Sequence, residues 1–119
     1  MWTYEQATGR FSHDGVAVAF GYSGRDEGKN NPAMQYLQGI GPLPRGAYTI
    51  GDAADTDTHG PCVMPLSPDA SNEMFGRSGF LIHGDSIAAP GTASHGCIIL
   101  PRAIRDLINL CKDRCLSVV

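Results

Sequence analysis

At 119 residues, with nine Lys and Arg against twelve Asp and Glu and a formal charge of −3, the chain has room for one hydrophobic core and carries no basic run. That excludes an electrostatic grip on nucleic acid, which needs clustered cations, and no apolar stretch approaches membrane-spanning length. Fifteen Gly and eight Pro imply many turns between short segments, so a helical bundle is disfavoured and one mainly β domain over residues 1–119 is expected.

Trp2, Tyr4 and Gln6 alternate with polar residues, Ser12-His13-Asp14-Gly15 supplies a turn, and Val16, Val18, Phe20 and Tyr22 recur at period two. This predicts an N-terminal β-hairpin. The same N-terminal residues lack the basic, apolar and small-residue order of a cleaved secretory signal, so synthesis in the cytoplasm and export by a dedicated machine are expected. Residues 23–45 hold Gly24, Gly28, Asn30-Asn31-Pro32, Gly39, Gly41, Pro42 and Pro44, and read as a long ordered loop with at most one helical turn near Ala33 to Leu37. Loops of that length inside a compact domain are usually functional or disordered.

Gly46 to Ile50 reads as a strand, Asp52 to Pro61 as a polar loop, and Cys62 to Leu66 as another strand. Gly79-Phe80-Leu81-Ile82-His83 is an apolar run ending in a polar residue, the pattern of a buried strand delivering His83 at its exit. A loop from Gly84 to Ser94 follows, and Gly96 to Leu100 returns to apolar character. Pro101 suits the first turn of a helix, and Ile104, Leu107, Ile108 and Cys111 fall at helical spacing, so one helix is expected from Pro101 to about Asp113, with a last strand over Leu116 to Val119. His13 and His59 fall in turns and need no function. Cys62, Cys97, Cys111 and Cys115 make no recognisable disulfide or zinc framework, and buried inert thiols are the ordinary fate of such cysteines.

The segment from His83 to Ser94-His95-Gly96-Cys97 offers a thiol, two imidazoles and a glycine turn. The thiolate is the reactive form of cysteine, and an imidazole is needed to accept its proton at neutral pH. Gly96 lets a substrate approach the main chain, where the amides near Cys97 are candidates to stabilise a developing oxyanion. Asp85 is a candidate for holding the His83 tautomer, with a solvated loop carboxylate as the alternative.

Ile82-His83-Gly84-Asp85 followed by Pro90-Gly91-Thr92-Ala93-Ser94-His95-Gly96-Cys97-Ile98 resembles the active-site signature of L,D-transpeptidases, cysteine enzymes that act on peptidoglycan stem peptides. Trp2-Thr3-Tyr4, Gly21-Tyr22-Ser23-Gly24, Gly28-Lys29-Asn30-Asn31-Pro32 and Gly41-Pro42-Leu43-Pro44-Arg45-Gly46 are similar to a small subgroup delivered as type VI secretion effectors. The resemblance implies an L,D-transpeptidase-like β-sandwich with one C-terminal helix, Cys97 as nucleophile, His83 as its proton acceptor, and Gly96 beside the oxyanion. His95, Ser94, Asp85 and Tyr22 become candidates for the substrate groove, although Asn30, Asn31 and their neighbours fit plain turn chemistry equally well. The implied substrate is a peptidoglycan tetrapeptide stem, which loses its terminal D-alanine to hydrolysis or exchange. The implied partners are type VI secretion components and a periplasmic immunity protein, the implied site of action is the periplasm of target bacteria, and no cofactor is implied. Two departures are visible: the gap between His83 and Ser94 is short for the broad family, and Ile99 stands where an arginine is common, with Arg102 the nearest replacement. Two rival readings use the same residues. His83, His95 and Cys97 are acceptable zinc ligands for a wall hydrolase, and a peptidoglycan-binding module without catalysis would retain the same fold.

Overall fold

A computed structural model describes residues 1–119 and resolves the chain into ten strands, one α-helix and two 3-10 turns. In chain order these are β1 (Trp2–Tyr4), β2 (Arg10–His13), β3 (Val16–Phe20), β4 (Tyr22–Ser23), the 3-10 turns Asp26–Gly28 and Pro32–Met34, β5 (Gly46–Ile50), β6 (Ala54–Thr56), β7 (Gly60–Pro68), β8 (Leu81–His83), β9 (Ile98–Ile99), α1 (Arg102–Leu110) and β10 (Cys115–Val118). The strands form one mixed sheet in the order β3-β2-β1-β10-β5-β7-β8-β9-β4, with β6 paired to β7. Only β1 with β10 and β8 with β9 run parallel. No helix is long and apolar enough to cross a membrane.

Trp2, Tyr4 and Phe11 from one end of this path share a core with Ile82 and Ile98 near the other end, together with Tyr48, Ile50, Met64, Leu66, Ile108, Leu116 and Val118. Nine strands laid flat at about 4.8 Å spacing would hold those two ends far apart. The sheet therefore curls around one core, and the facing walls of the expected sandwich are two stretches of a continuous sheet. The mainly β architecture with a single helix is the one the sequence predicts.

The departures lie at boundaries and faces. The N-terminal hairpin is β2–β3 rather than the first two periodic runs, with Asp14 and Gly15 both at positive φ, the backbone a tight two-residue turn demands. Because β3 ends the sheet, Val16 and Phe20 remain two-thirds exposed despite their alternation. The polar segment expected to be loop contains β6, paired with β7 around the Asp57-Thr58-His59 turn, because backbone pairing does not need apolar side chains. The helix begins at Arg102 with Pro101 as its N-cap and ends at Leu110, where the Cys111 amide closes on the Leu107 and Ile108 carbonyls. On its inner face Arg105 and Ile108 are buried while Leu107 is exposed, so a cation takes a position that the apolar spacing would give to leucine.

β8 crosses the middle of the core with Ile82 fully buried between β7 and β9. Ile82→Ala is expected to lower the unfolding free energy by about 2–5 kcal/mol, the usual cost of a buried large-to-small change. Urea titration measures it, and a loss below about 1 kcal/mol would place β8 outside the cooperative core.

Candidate functional site

Side chains alternate between the two faces of a strand, so the burial of Ile82 and Ile98 in the core sends Leu81 and His83 of β8, and Cys97 and Ile99 around β9, to the opposite face. The parallel register pairs Ile82 with Ile98 and His83 with Ile99, which sets Cys97 level with Leu81 and two positions from His83 on that same face. A thiol and an imidazole fourteen residues apart in the chain are thus brought to one face through one strand pairing. They line a cavity of about 270 Å³ together with His59, Ser78, Gly79, Phe80, Ala93 and His95.

The tautomer of His83 follows from its partner. Its Nδ1 lies 2.8 Å from the Gly84 carbonyl, which can only accept, so Nδ1 carries the proton and Nε2 is the free base. The main chain therefore orients this imidazole, and Asp85 does not. Burial pushes the His83 pKa down, against the Gly84 carbonyl, with the neighbouring His59 and Arg105 adding to the depression. Burial pushes the Cys97 thiol up, opposed by the Leu81 amide and the Arg77 guanidinium. Both shifts favour the neutral forms of the two groups.

The turn that carries Cys97 is braced by buried hydroxyls. Ser94 Oγ donates to the Cys97 carbonyl at 2.6 Å and accepts from the amides of Gly24 at 2.8 Å and Gly96 at 3.1 Å. Ser23 Oγ donates to the Gly96 carbonyl and accepts from the Leu43 amide, both at 2.8 Å. Ser94 is fully buried with its hydroxyl committed, which removes it from the substrate groove. The Gly96 amide donates to Ser94, so of the two amides expected near an oxyanion that of Gly96 is engaged by a buried hydroxyl. Glycine is required at 96 for two other reasons: φ is +137°, and a Cβ there would lie 2.6 Å from Arg77 Nη2 and 2.7 Å from the Phe80 ring.

Arg77 lies under this turn. Its guanidinium donates to the carbonyls of Gln35, Gly41, Pro42 and His95 and sits 5.1 Å from the centre of the Phe80 ring. It is 4% exposed and pairs with no carboxylate, so its charge is uncompensated within reach of Cys97. Nothing in the sequence marked Arg77, because its partners are backbone carbonyls scattered over three segments. His59 was also missed: expected as a turn residue without function, it enters the cavity on the β6–β7 turn with its ring 4.8 Å from that of His83. The polar character that makes residues 52–61 read as loop hides the hairpin that aims it.

Tyr22 and Asp85 lie outside the Cys97 cavity, and His95 lines it. Tyr22 donates its hydroxyl to Asp85 Oδ1 at 2.6 Å and accepts from the Ala93 amide, and Asp85 also accepts from the amides of Ser86 and Gly91. Burial alone would raise the Asp85 pKa, but these donors and Lys29 hold it below the usual carboxylate range. Tyr22 and Asp85 therefore shape the loop over residues 85–93 rather than the Cys97 cavity. His95 is exposed at the cavity rim, with its Nε2 3.5 Å from Arg25 Nη1. Asn31 closes a turn by accepting from the Ala33 amide, whereas Asn30 Oδ1 accepts from the Tyr4 hydroxyl and the Ser23 amide and ties separate segments together. Arg102 is tied to Asp106 at 2.9 Å and does not line the Cys97 cavity. The ligand atoms of His83, His95 and Cys97 do not gather within 4.8 Å of one another. His13, Asp14 and Asp113 do, at a remote place where Asp14 and Asp113 hold the amino group of Met1.

Fold and site together define a mainly β domain with a cysteine–histidine pocket on one face of its sheet. Residues 18–114 match the Tlde1 domain, and the chain belongs to that family of type VI secretion effector domains. The matched span includes every residue lining the cavity and leaves out β1, β2 and β10, which neighbour one another in the sheet. No curated protein matches the chain.

Two substitutions test the bracing and the buried charge. Ser94→Ala leaves buried partners unsatisfied and is expected to cost about 1–3 kcal/mol in urea unfolding. Arg77→Gln is expected to raise the pH midpoint for alkylation of Cys97 by about one unit, as removal of a nearby cation does. Peptide mapping separates Cys97 from Cys62, Cys111 and Cys115. Arg77→Lys keeps the charge and should shift the midpoint less, whereas equal shifts would assign the effect to the lost carbonyl bonds.

Proposed function

We propose that this effector domain is a cysteine acyl transferase acting on tetrapeptide stems of peptidoglycan, an L,D-carboxypeptidase and L,D-transpeptidase of the amino-acid exchange kind. The observation that carries the reading is the shared cavity of Cys97 and His83, with Nε2 of His83 left free by the Gly84 carbonyl. The L,D-transpeptidase-like signature around these residues supports the choice of substrate, and membership of a type VI effector family supports delivery into a rival cell. Action in the periplasm of that cell and neutralisation by an immunity protein complete the proposal.

In the proposed reaction Cys97 Sγ attacks the carbonyl of meso-diaminopimelate that is joined to the terminal D-alanine, and its proton passes to His83 Nε2. The tetrahedral oxyanion faces the Cys97 amide, in the field of the Arg77 cation. The carbon–nitrogen bond then breaks, D-alanine leaves with the proton from His83, and a thioester remains. Water gives the tripeptide; an amine gives an exchanged stem. Either nucleophile passes its proton to His83 as it attacks, and the thiol is restored. Removal or replacement of the terminal residue depletes the donor stems on which a target cell's own cross-linking enzymes depend.

Mass spectrometry of purified tetrapeptide muropeptides tests this directly. The wild-type chain is expected to remove the terminal D-alanine and Cys97→Ala to remove none. His83→Gln should lower the rate by about 100-fold to 10,000-fold, the usual contribution of a positioned base. An active Cys97→Ala variant would overturn the reading.

The pH dependence has a defined sign. With the folded-state pKa of His83 depressed by burial, activity should persist below the ordinary histidine value of about 6.5 and fall only as the imidazole protonates at lower pH. Stability follows the same direction. Between the depressed value and about 6.5 the unfolded chain binds more protons than the folded one. The contribution is therefore present above about 6.5 and lost as pH falls through the folded value. A rate profile whose acid limb lies above the ordinary histidine range would remove neutral, buried His83 from the mechanism.

A further inference from the structure

His83 has a second open side. A groove of about 830 Å³ adjoins the Cys97 cavity and shares His59, His83 and Ala93 with it. Its lining also includes Gly84, Asp85, Arg102 and Arg105, and the Asp85 carboxylate is already occupied by the Tyr22 hydroxyl and the Ser86 and Gly91 amides. Arg105 is 6% exposed and makes no ion pair; Nε donates to the Leu100 carbonyl, and Nη1 to those of Pro61 and Cys62. Nη2 has no acceptor. It lies against Gly84, where a Cβ would come within 2.6 Å of it, so glycine next to the His83 strand exit is what allows the guanidinium to reach this wall. Arg102, exposed at the rim, is already neutralised by Asp106.

A buried cation with three N–H groups saturated by carbonyls and one edge left open is a fixed half of a charge-assisted hydrogen bond. The group that completes it is an anion, and planar guanidinium favours a carboxylate. We propose that this groove binds the free α-carboxylate of an amino-acid or peptide acceptor, with Arg105 Nη2 as its anchor. The inference rests on the acyl-transfer reading of Cys97. The Cys97 cavity holds the acylated stem, and the acceptor amine enters from the other side of His83. The amine nitrogen attacks the thioester carbonyl, the carbon–sulfur bond breaks, the amine proton goes to His83 Nε2, and the Cys97 thiolate recovers that proton.

Glycine and glycinamide are the decisive probes, since they differ only in the carboxylate and both give a product resolved by mass. Wild-type protein, tetrapeptide and each probe at matched concentrations of free amine are expected to give about tenfold more exchanged stem with glycine, a typical effect of one charged hydrogen bond. Arg105→Gln should bring the ratio close to one and Arg105→Lys should retain part of it. Equal use of both probes by the wild type would overturn the acceptor site while loss of D-alanine from the stem still supports the acyl-transfer reading. A second measurement does not depend on turnover. Glycine titrated into the Cys97→Ala variant should perturb the amide resonances of Gly84 and Arg105, and glycinamide should not; identical perturbation by both, or none by either, would overturn the site whatever the protein's reaction proves to be.

Discussion

The buried guanidinium of Arg77 is the constraint on which the site depends. Residues 24–45 contribute only two 3-10 turns of regular structure, and a loop of that length cannot position the Cys97 turn by its own hydrogen bonds. Arg77 gathers the carbonyls of Gln35, Gly41 and Pro42 from that loop and the carbonyl of His95 from the Cys97 turn onto one planar group. Arginine cannot shed its proton to escape the cost of burial, so the carbonyls must stay in place to solvate it. A single charge thus ties the long loop to the nucleophile turn and places positive potential beside Cys97.

The hydroxyls of Ser23 and Ser94 complete the frame from the other direction. Each bridges an amide and a carbonyl belonging to segments distant in sequence, and each is buried, so loss of either leaves polar groups without water or protein partners. The serine of the Ser94-His95-Gly96-Cys97 run is in this sense a structural member, and the glycine is there because the backbone and the Arg77–Phe80 pair leave no room for a Cβ. Cys97 and His83 share the cavity beside this frame, with His59 as a neighbour of the imidazole.

Burial acts on both members of that pair in opposite electrostatic directions, raising the thiol and lowering the imidazole. Both shifts favour the neutral forms, and a thiol is far less prone to oxidation and alkylation than a thiolate. His83 lines two adjoining cavities, and in the proposed reaction one imidazole serves both the leaving and the attacking group.

The sequence by itself determined the mainly β class, the strand Gly46–Ile50, a strand ending at His83 within the run read from Gly79, and the single late helix, and it singled out His83 and Cys97 as the residues to examine. Those follow from local rules: side-chain period, turn residues, and the rarity of a thiol flanked by histidine and glycine. The tertiary structure alone decided that β1 and β10 pair in parallel and that the sheet closes around one core. It also decided that Gly84 rather than Asp85 sets the His83 tautomer, that Tyr22 and Ser94 brace loops, and that Arg77, His59 and Arg105 reach the site. In each of these cases the partner is a main-chain carbonyl, an amide or a side chain many residues away. Backbone groups are the same at every position, so no residue pattern can mark which of them a buried cation or hydroxyl will find.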